Sequence, residues 1–294
     1  MTMRILRYLF TIHTVMTVCA IFAQPQQPSK TKNQSSGDII HIISCADIDK
    51  KGEEQIVIDN HSFFTQTLAD SINLNTTFTA VANEFTKEKA DRDFISARIA
   101  NMKTAANDVI MFYFCGKGAT VPNDSLPLLF LGSDSVAVKE GKVMFLSDIL
   151  SVLLAKPHRL LVVICESGRE DVAADSLGFV ILDRISDNRY SDLTNYSFRG
   201  KTSKNAWQNL FSQKGNYILM ACQPGQNNNH SLPYTLSYYL SNTFMNLCYR
   251  RNCLWSDLLD DCVSRANGIN ASSGIHQTSY WFDIKQINKK DIEK

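Results

Sequence analysis

Neither sign of charge dominates this chain. Thirty lysines and arginines stand against 29 aspartates and glutamates, a net charge of +1 over 294 residues. Such a chain projects no long-range field, so nucleic acid and anionic membranes are not favoured partners. Metal-ligand spacing is also missing. No cysteine pair has zinc spacing with histidines close by, and neither a metal nor a cofactor is expected. There is no Walker loop, no G-x-G-x-x-G and no HExxH, which removes the P-loop, dinucleotide and zincin readings. Ser167 does not sit in a nucleophile elbow, because the position two before it is Cys165 rather than glycine. No internal repeat is found. The only long apolar run, residues 8–22, is interrupted by threonines and His13, and is too weak and short for a transmembrane anchor.

That run has another reading. Arg4 and Arg7 give a basic start, the apolar stretch follows, and Ala23 places a small residue before a cut ahead of Gln24. Residues 1–23 are expected to be a signal peptide, sending the chain to the periplasm or outside the cell. A lipoprotein attached at Cys19 fits less well, because Val18 is not the small residue wanted before it. Residues 24–37, QPQQPSKTKNQSSG, read as a flexible linker. Of eight cysteines, Cys19 would leave with the signal, and the odd number left argues against a disulfide framework. Most of the others read as small buried hydrophobes. A composition of 44% apolar and 20% charged residues supplies enough core without staples.

From residue 38 apolar strand runs alternate with amphipathic helix runs. The first strand covers 38–45 and contains His41, which reads as a core histidine. A helix over 59–74 carries Phe64, Leu68 and Ile72 on one stripe, and a strand follows at 76–85. A helix over 87–102 has Phe94, Ile95, Ile99 and Met102 on one side. A third strand, 108–115, breaks into Gly116-Lys117-Gly118, and 126–132 reads as a hairpin or sheet edge. Ser147 is placed to cap a helix that Pro157 stops. The fourth strand, 159–165, ends in Cys165-Glu166-Ser167-Gly168. Residues 169–214 have poor periodicity, with a short strand at 178–182 and a helix at 204–211. A strand at 215–222, helices at 231–250 and 256–266 and a strand at 275–284 complete the pattern. The expected fold is α/β: a three-layer sandwich with a mainly parallel central sheet and helices on both faces. One domain spans 38–287, with a polar tail at 288–294. Asn75, Asn195 and Asn270 begin glycosylation sequons.

In an open α/β sheet, ligands gather beyond the carboxyl ends of the strands. Two such ends, FYFCGKGA at 112–119 and VVICESG at 162–168, carry polar clusters, and the second carries a thiol. They resemble the caspase and metacaspase superfamily of cysteine peptidases (peptidase C14-like). There one strand ends like S-G-H-G with the histidine base and the next ends like D-x-C-x-S-G with the nucleophile. The run 218–226, ILMACQPGQ, and the final QTSYWFD are similar to later parts of the pattern. The resemblance implies a caspase-like sandwich, Cys165 at the nucleophile position, and the N–H groups of Gly118 and Cys165 as the oxyanion donors. It puts Lys117 where the base histidine belongs. An ammonium nearby favours a thiolate but is a poor proton shuttle, and losing the histidine should cost roughly 10²–10⁴-fold.

Three further departures follow. Val163 stands where relatives place an aspartate for a basic substrate side chain. Glu166 beside the thiol would raise its pKa. Cys115 stands where relatives often carry serine, and two outcomes are open: separate thiols, or a bond to Cys165. Val163, Gln223 and Gln226 are candidates to line a pocket, and His230 is the one histidine placed to substitute as base. The resemblance also implies a maturation segment within 169–214, with Arg184, Arg189, Arg199 and Lys201 as cutting sites. The reading is therefore an exported, catalytically impaired pseudo-peptidase acting by peptide or protein binding. The alternatives are an active divergent cysteine endopeptidase working through a Cys165 thioester, and a binding protein whose fold merely resembles this family.

Overall fold

A computed structural model of the chain describes residues 39–46, 54–86, 89–120, 124–131, 142–171, 204–228, 236–247 and 253–284. The expected signal, linker and polar tail, the strand at 178–182, the four cutting sites, Asn195 and His230 lie outside the described residues.

The central sheet has six strands. They are β1 (Ile39–Ala46), β2 (Thr79–Thr86), β3 (Val109–Gly116), β7 (Leu160–Ser167), β9 (Gly215–Met220) and β10 (Tyr280–Asp283), in the order β10-β9-β7-β3-β1-β2. Every neighbouring pair is parallel except β9 with β10. The largely apolar, buried stretches in β1, β3 and β7 reflect burial on both faces, which only an interior strand of a covered sheet experiences. A second, smaller sheet, order β6-β5-β4-β8, is built from β4 (Gly118–Thr120), β5 (Leu128–Phe130), β6 (Val143–Phe145) and β8 (Glu170–Asp171).

Alternation along the strands divides the core in two. One face carries Ile40, Met111, Tyr113, Val162 and Ile164 against α1 (Glu54–Ser62), a π-helical turn (Phe63–Leu68), α2 (Ala69–Asn75), α5 (Lys204–Phe211), α6 (Leu236–Asn246) and α7 (Trp255–Ser272). The other carries Ile110, Phe112, Phe114, Val163 and Cys165 against α3 (Arg92–Asn101), α4 (Leu146–Leu154) and the small sheet. The expected three-layer α/β sandwich is thus the architecture found.

Local details differ. The helix predicted over 59–74 is α1, the π turn and α2 in succession, and Phe64, Leu68 and Ile72 are fully buried as one stripe. In α3, Ile95 and Ile99 are buried, but Phe94 stays half exposed and packs edge-on against Phe85. Ser147 does not cap α4. That helix starts a residue earlier, Phe145 precedes it, and the Ser147 hydroxyl donates to Asp124 Oδ2 at 3.0 Å. The helix predicted at 256–266 runs through to Ser272 as α7, and the last strand begins only at Tyr280. No helix among the described residues is long and apolar enough to cross a membrane.

Candidate functional site

β3 and β7 lie side by side and parallel, so their carboxyl ends open on one edge of the sheet. Register then decides what meets what. Phe114 lies beside Cys165, Cys115 beside Glu166, and Gly116 beside Ser167. Cys165 therefore belongs to the face covered by α3 and α4, while Cys115 belongs to the opposite face. A Cys115–Cys165 bond would have to pass through the sheet, and neither cysteine is in a disulfide. None of the six described cysteines is in a disulfide, and all are buried.

The fourth strand was predicted to end at Cys165. It does not: β7 continues through Ser167, because Gly116 still pairs with Ser167. The cysteine is consequently inside the strand, with Phe114 on one side and Met220 on the other. Its carbonyl accepts the Ala221 N–H at 3.0 Å. In a parallel ladder that arrangement directs the Cys165 N–H to the carbonyl of Leu219. The backbone donor that the resemblance assigns to an oxyanion is thus committed to the sheet.

The thiol is fully buried, and Sγ lies 3.2 Å from the Ser167 hydroxyl. Burial pushes the thiol up to about 12. The Ser167 hydroxyl and the Arg169 guanidinium pull the other way and do not offset it. At neutral pH this sulfur is a thiol, not a nucleophile.

Gly118 opens β4 beside this strand end. A Cβ there would lie 2.7 Å from the Gly168 carbonyl oxygen and 2.8 Å from the Ser167 Cβ and Oγ. The close approach that glycine allows is taken up by the end of β7 itself. Lys117 sits between the last residue of β3 and the first of β4, partly exposed, and its carbonyl accepts the Phe130 N–H at 3.0 Å.

Glu166 follows the cysteine in sequence but points to the other face. Its carboxylate accepts the Tyr113 hydroxyl at 2.8 Å and the Ser237 N–H at 3.2 Å, and no part of it reaches solvent. Burial holds its carboxyl above the usual carboxylate range, against the pull of those donors. It adds only a minor upward push on the Cys165 thiol, whose main cause is burial.

Histidines lie elsewhere among the described residues. His41 bonds Asp108 at 3.0 Å near the amino end of β1, in keeping with a satisfied core residue. His158 bonds the Lys156 carbonyl and the Asn216 side chain at the amino end of β7. His61 shares a 2.6 Å hydrogen bond with Ser44, and its Nε2 lies 3.6 Å from Glu84. His276 is exposed. None is hydrogen-bonded to Cys165. The three pocket candidates also part company. Val163 is a fully buried core residue on the Cys165 face. Gln223 is exposed, and Gln226 uses its side chain to hold the Thr278 backbone N–H at 2.8 Å.

Sequence reasoning missed Arg169, which it assigned to the start of an unstructured insertion. The residue is buried at the edge of the site. Its guanidinium donates to the Tyr280 hydroxyl at 2.5 Å and to the Ser125 carbonyl at 2.7 Å. Its backbone exchanges hydrogen bonds with Gln226 and Gly225, both at 2.7 Å. It thus ties the end of β7 to the loop after β9 and to β10. Only its position directly after a buried strand hinted at such a role. Among the described residues no group of three or more His, Cys, Asp or Glu side chains converges to hold a metal.

No family model matches this chain, and no curated protein matches it. Solved structures do. The chain is similar to protein GSU0716 of Geobacter sulfurreducens, a structural genomics target, with a TM-score of 0.50, 11% identity, 84% of this chain and 93% of that one. It is also similar to the Drosophila initiator caspase Dronc, with a TM-score of 0.40, 9% identity and coverage of 88% and 87%. Caspase-1 from Spodoptera frugiperda gives a TM-score of 0.39, 12% identity and coverage of 88% and 93%.

Proposed function

We propose that this chain is an exported caspase-like, peptidase-like domain that has given up catalysis and acts by binding a peptide or protein. The sheet order and the position of a cysteine near the carboxyl edge of β7 support the relationship. One observation carries the loss of catalysis: Cys165 lies within the strand, fully buried, with its thiol pushed up to about 12 and none of the described histidines bonded to it. Acyl transfer needs an exposed thiolate, a proton shuttle and free oxyanion donors. On the sequence resemblance Lys117 falls at the shuttle position, and the Cys165 N–H is in the ladder. Export rests on the basic start and apolar run of residues 1–23.

The test uses the reduced chain from Gln24 beside a Cys165→Ala variant, each with a mixed fluorogenic peptide library. No cleavage by either is expected, and no labelling of the intact protein by a peptide-based thiol electrophile. Turnover present in the parent and lost in the variant would establish the active endopeptidase reading instead.

A further inference from the structure

β2 is the last strand of the central sheet, and among the described residues nothing pairs with its outer side. Its sequence, TAVANEFT, has no proline and no lysine, the residues that usually blunt such an edge. The direction of its free groups follows from one bond. The Ala80 N–H donates to Asn73 Oδ1 at 2.8 Å, away from β1. With period two, the N–H and C=O groups of Ala82 and Glu84 face away from β1 as well. Beside this edge, on the α3 face, lies a cavity of about 250 Å³ lined by His41, Ile43, Val81, Asn83, Arg98 and Lys103. Val81 is 43% exposed there.

The cavity is basic. Among the described residues Arg98 reaches the Asn83 amide oxygen, at 3.4 Å, and neither Arg98 nor Lys103 has a carboxylate partner. The acid nearest His41 is Asp108, and it is spent on His41 Nε2 and on the N–H groups of Ile39 and Ala105. On the other face of β2 the charge is Glu84, half exposed.

We infer that β2 accepts an extended peptide segment of a partner protein as an added strand, with an acidic side chain of that segment over Arg98 and Lys103. Main-chain hydrogen bonds to Ala82 and Glu84 would give affinity, and alternate side chains specificity. The residues flanking the acid on the same face would be apolar, to cover Val81 and Ile43. The opposite face of the added strand would be free of acids, because Glu84 lies there. This site is separate from the Cys165 edge and does not depend on whether that edge is catalytic.

The probe is the acetylated, amidated peptide Val-Thr-Glu-Thr-Val-Thr-Val, titrated calorimetrically into the chain from Gln24, with lysine replacing glutamate as the control. Saturable binding is expected for the first peptide, and at least about tenfold weaker binding for the second, as charge complementarity requires. Arg98→Glu should weaken the first peptide by a similar factor. Ala82→Pro should abolish binding while leaving the thermal melt nearly unchanged, since proline is tolerated where an edge N–H faces outward. Cys165→Ala should bind like the parent. Equal affinity for both peptides, no binding of either, or full binding to the proline variant would overturn the inference. So would concentration-dependent dimers in sedimentation velocity that Ala82→Pro abolishes, which would make a second copy the occupant.

Discussion

The Cys165 thiol and the Glu166 carboxyl are adjacent in the chain and lie on opposite faces of β7, so each has its own surroundings. The thiol is held neutral by apolar neighbours. The carboxyl is anchored by Tyr113 and Ser237 yet is still held above the usual carboxylate range, because burial outweighs two donors. The sign of its pH effect follows. A carboxyl raised in the folded state binds more protons folded than unfolded, so the stability it contributes is complete below its ordinary range, near pH 4.3, and is lost as pH rises through the folded value. Glu166→Gln keeps an acceptor for the Ser237 N–H without the charge. The stability of Glu166→Gln relative to the parent, from urea unfolding at a series of pH values, should climb as pH rises above about 4. A flat difference would mean that Glu166 is solvated or better paired than its burial indicates.

At the scale of elements, the apolar clusters explain why some of the fold was legible and some was not. β1, β3 and β7 are built on mainly apolar runs, and a run of that kind has few other places to go than the middle of a covered sheet. The stripe Phe64, Leu68 and Ile72 was visible for the same reason. The end of β7 was not visible. It is fixed by a hydrogen bond from Tyr113 to Glu166 and by the backbone bonds of Arg169, all to residues tens of positions away. Polar residues there looked like a strand terminus, and tertiary pairing kept them in the ladder. The start of α4 failed similarly, because Ser147 found Asp124 across space instead of its own helix end. The same dependence on distant partners sets the stability of the helical layer. Trp255, at the start of α7, packs edge-on against Phe211 and Phe244, each with ring centroids 5.8 Å away, and donates to the Leu210 carbonyl at 3.0 Å. It holds α5, α6 and α7 together. Trp255→Ala should cost about 3–5 kcal/mol in urea unfolding, and Trp255→Phe, which keeps a ring but loses the bond to that carbonyl, distinctly less. A loss under about 1 kcal/mol for Trp255→Ala would show that this layer closes without it.

At the scale of the whole molecule, the proposed loss of catalysis rests on more than one missing imidazole. Suppose Lys117→His restored the residue that the resemblance asks for. The ring would stand between β3 and β4, over a strand end closed by the contact of Gly118 with Ser167 and Gly168. The thiol would remain without solvent exposure, its N–H would remain in the ladder with β9, and Arg169 would still tie the strand end to β10 through Tyr280. A base activates only a nucleophile it can reach, and an oxyanion hole works only if its donors are free when charge develops. Lys117→His is therefore expected to show no peptide cleavage that depends on Cys165, and no gain in labelling by a peptide electrophile at pH 7 to 8. Because that position is partly exposed, the melting temperature should stay close to the parent's. Cleavage that appears in Lys117→His and disappears when Cys165→Ala is added would show that β7 opens readily in solution. The missing histidine would then be the whole of the difference.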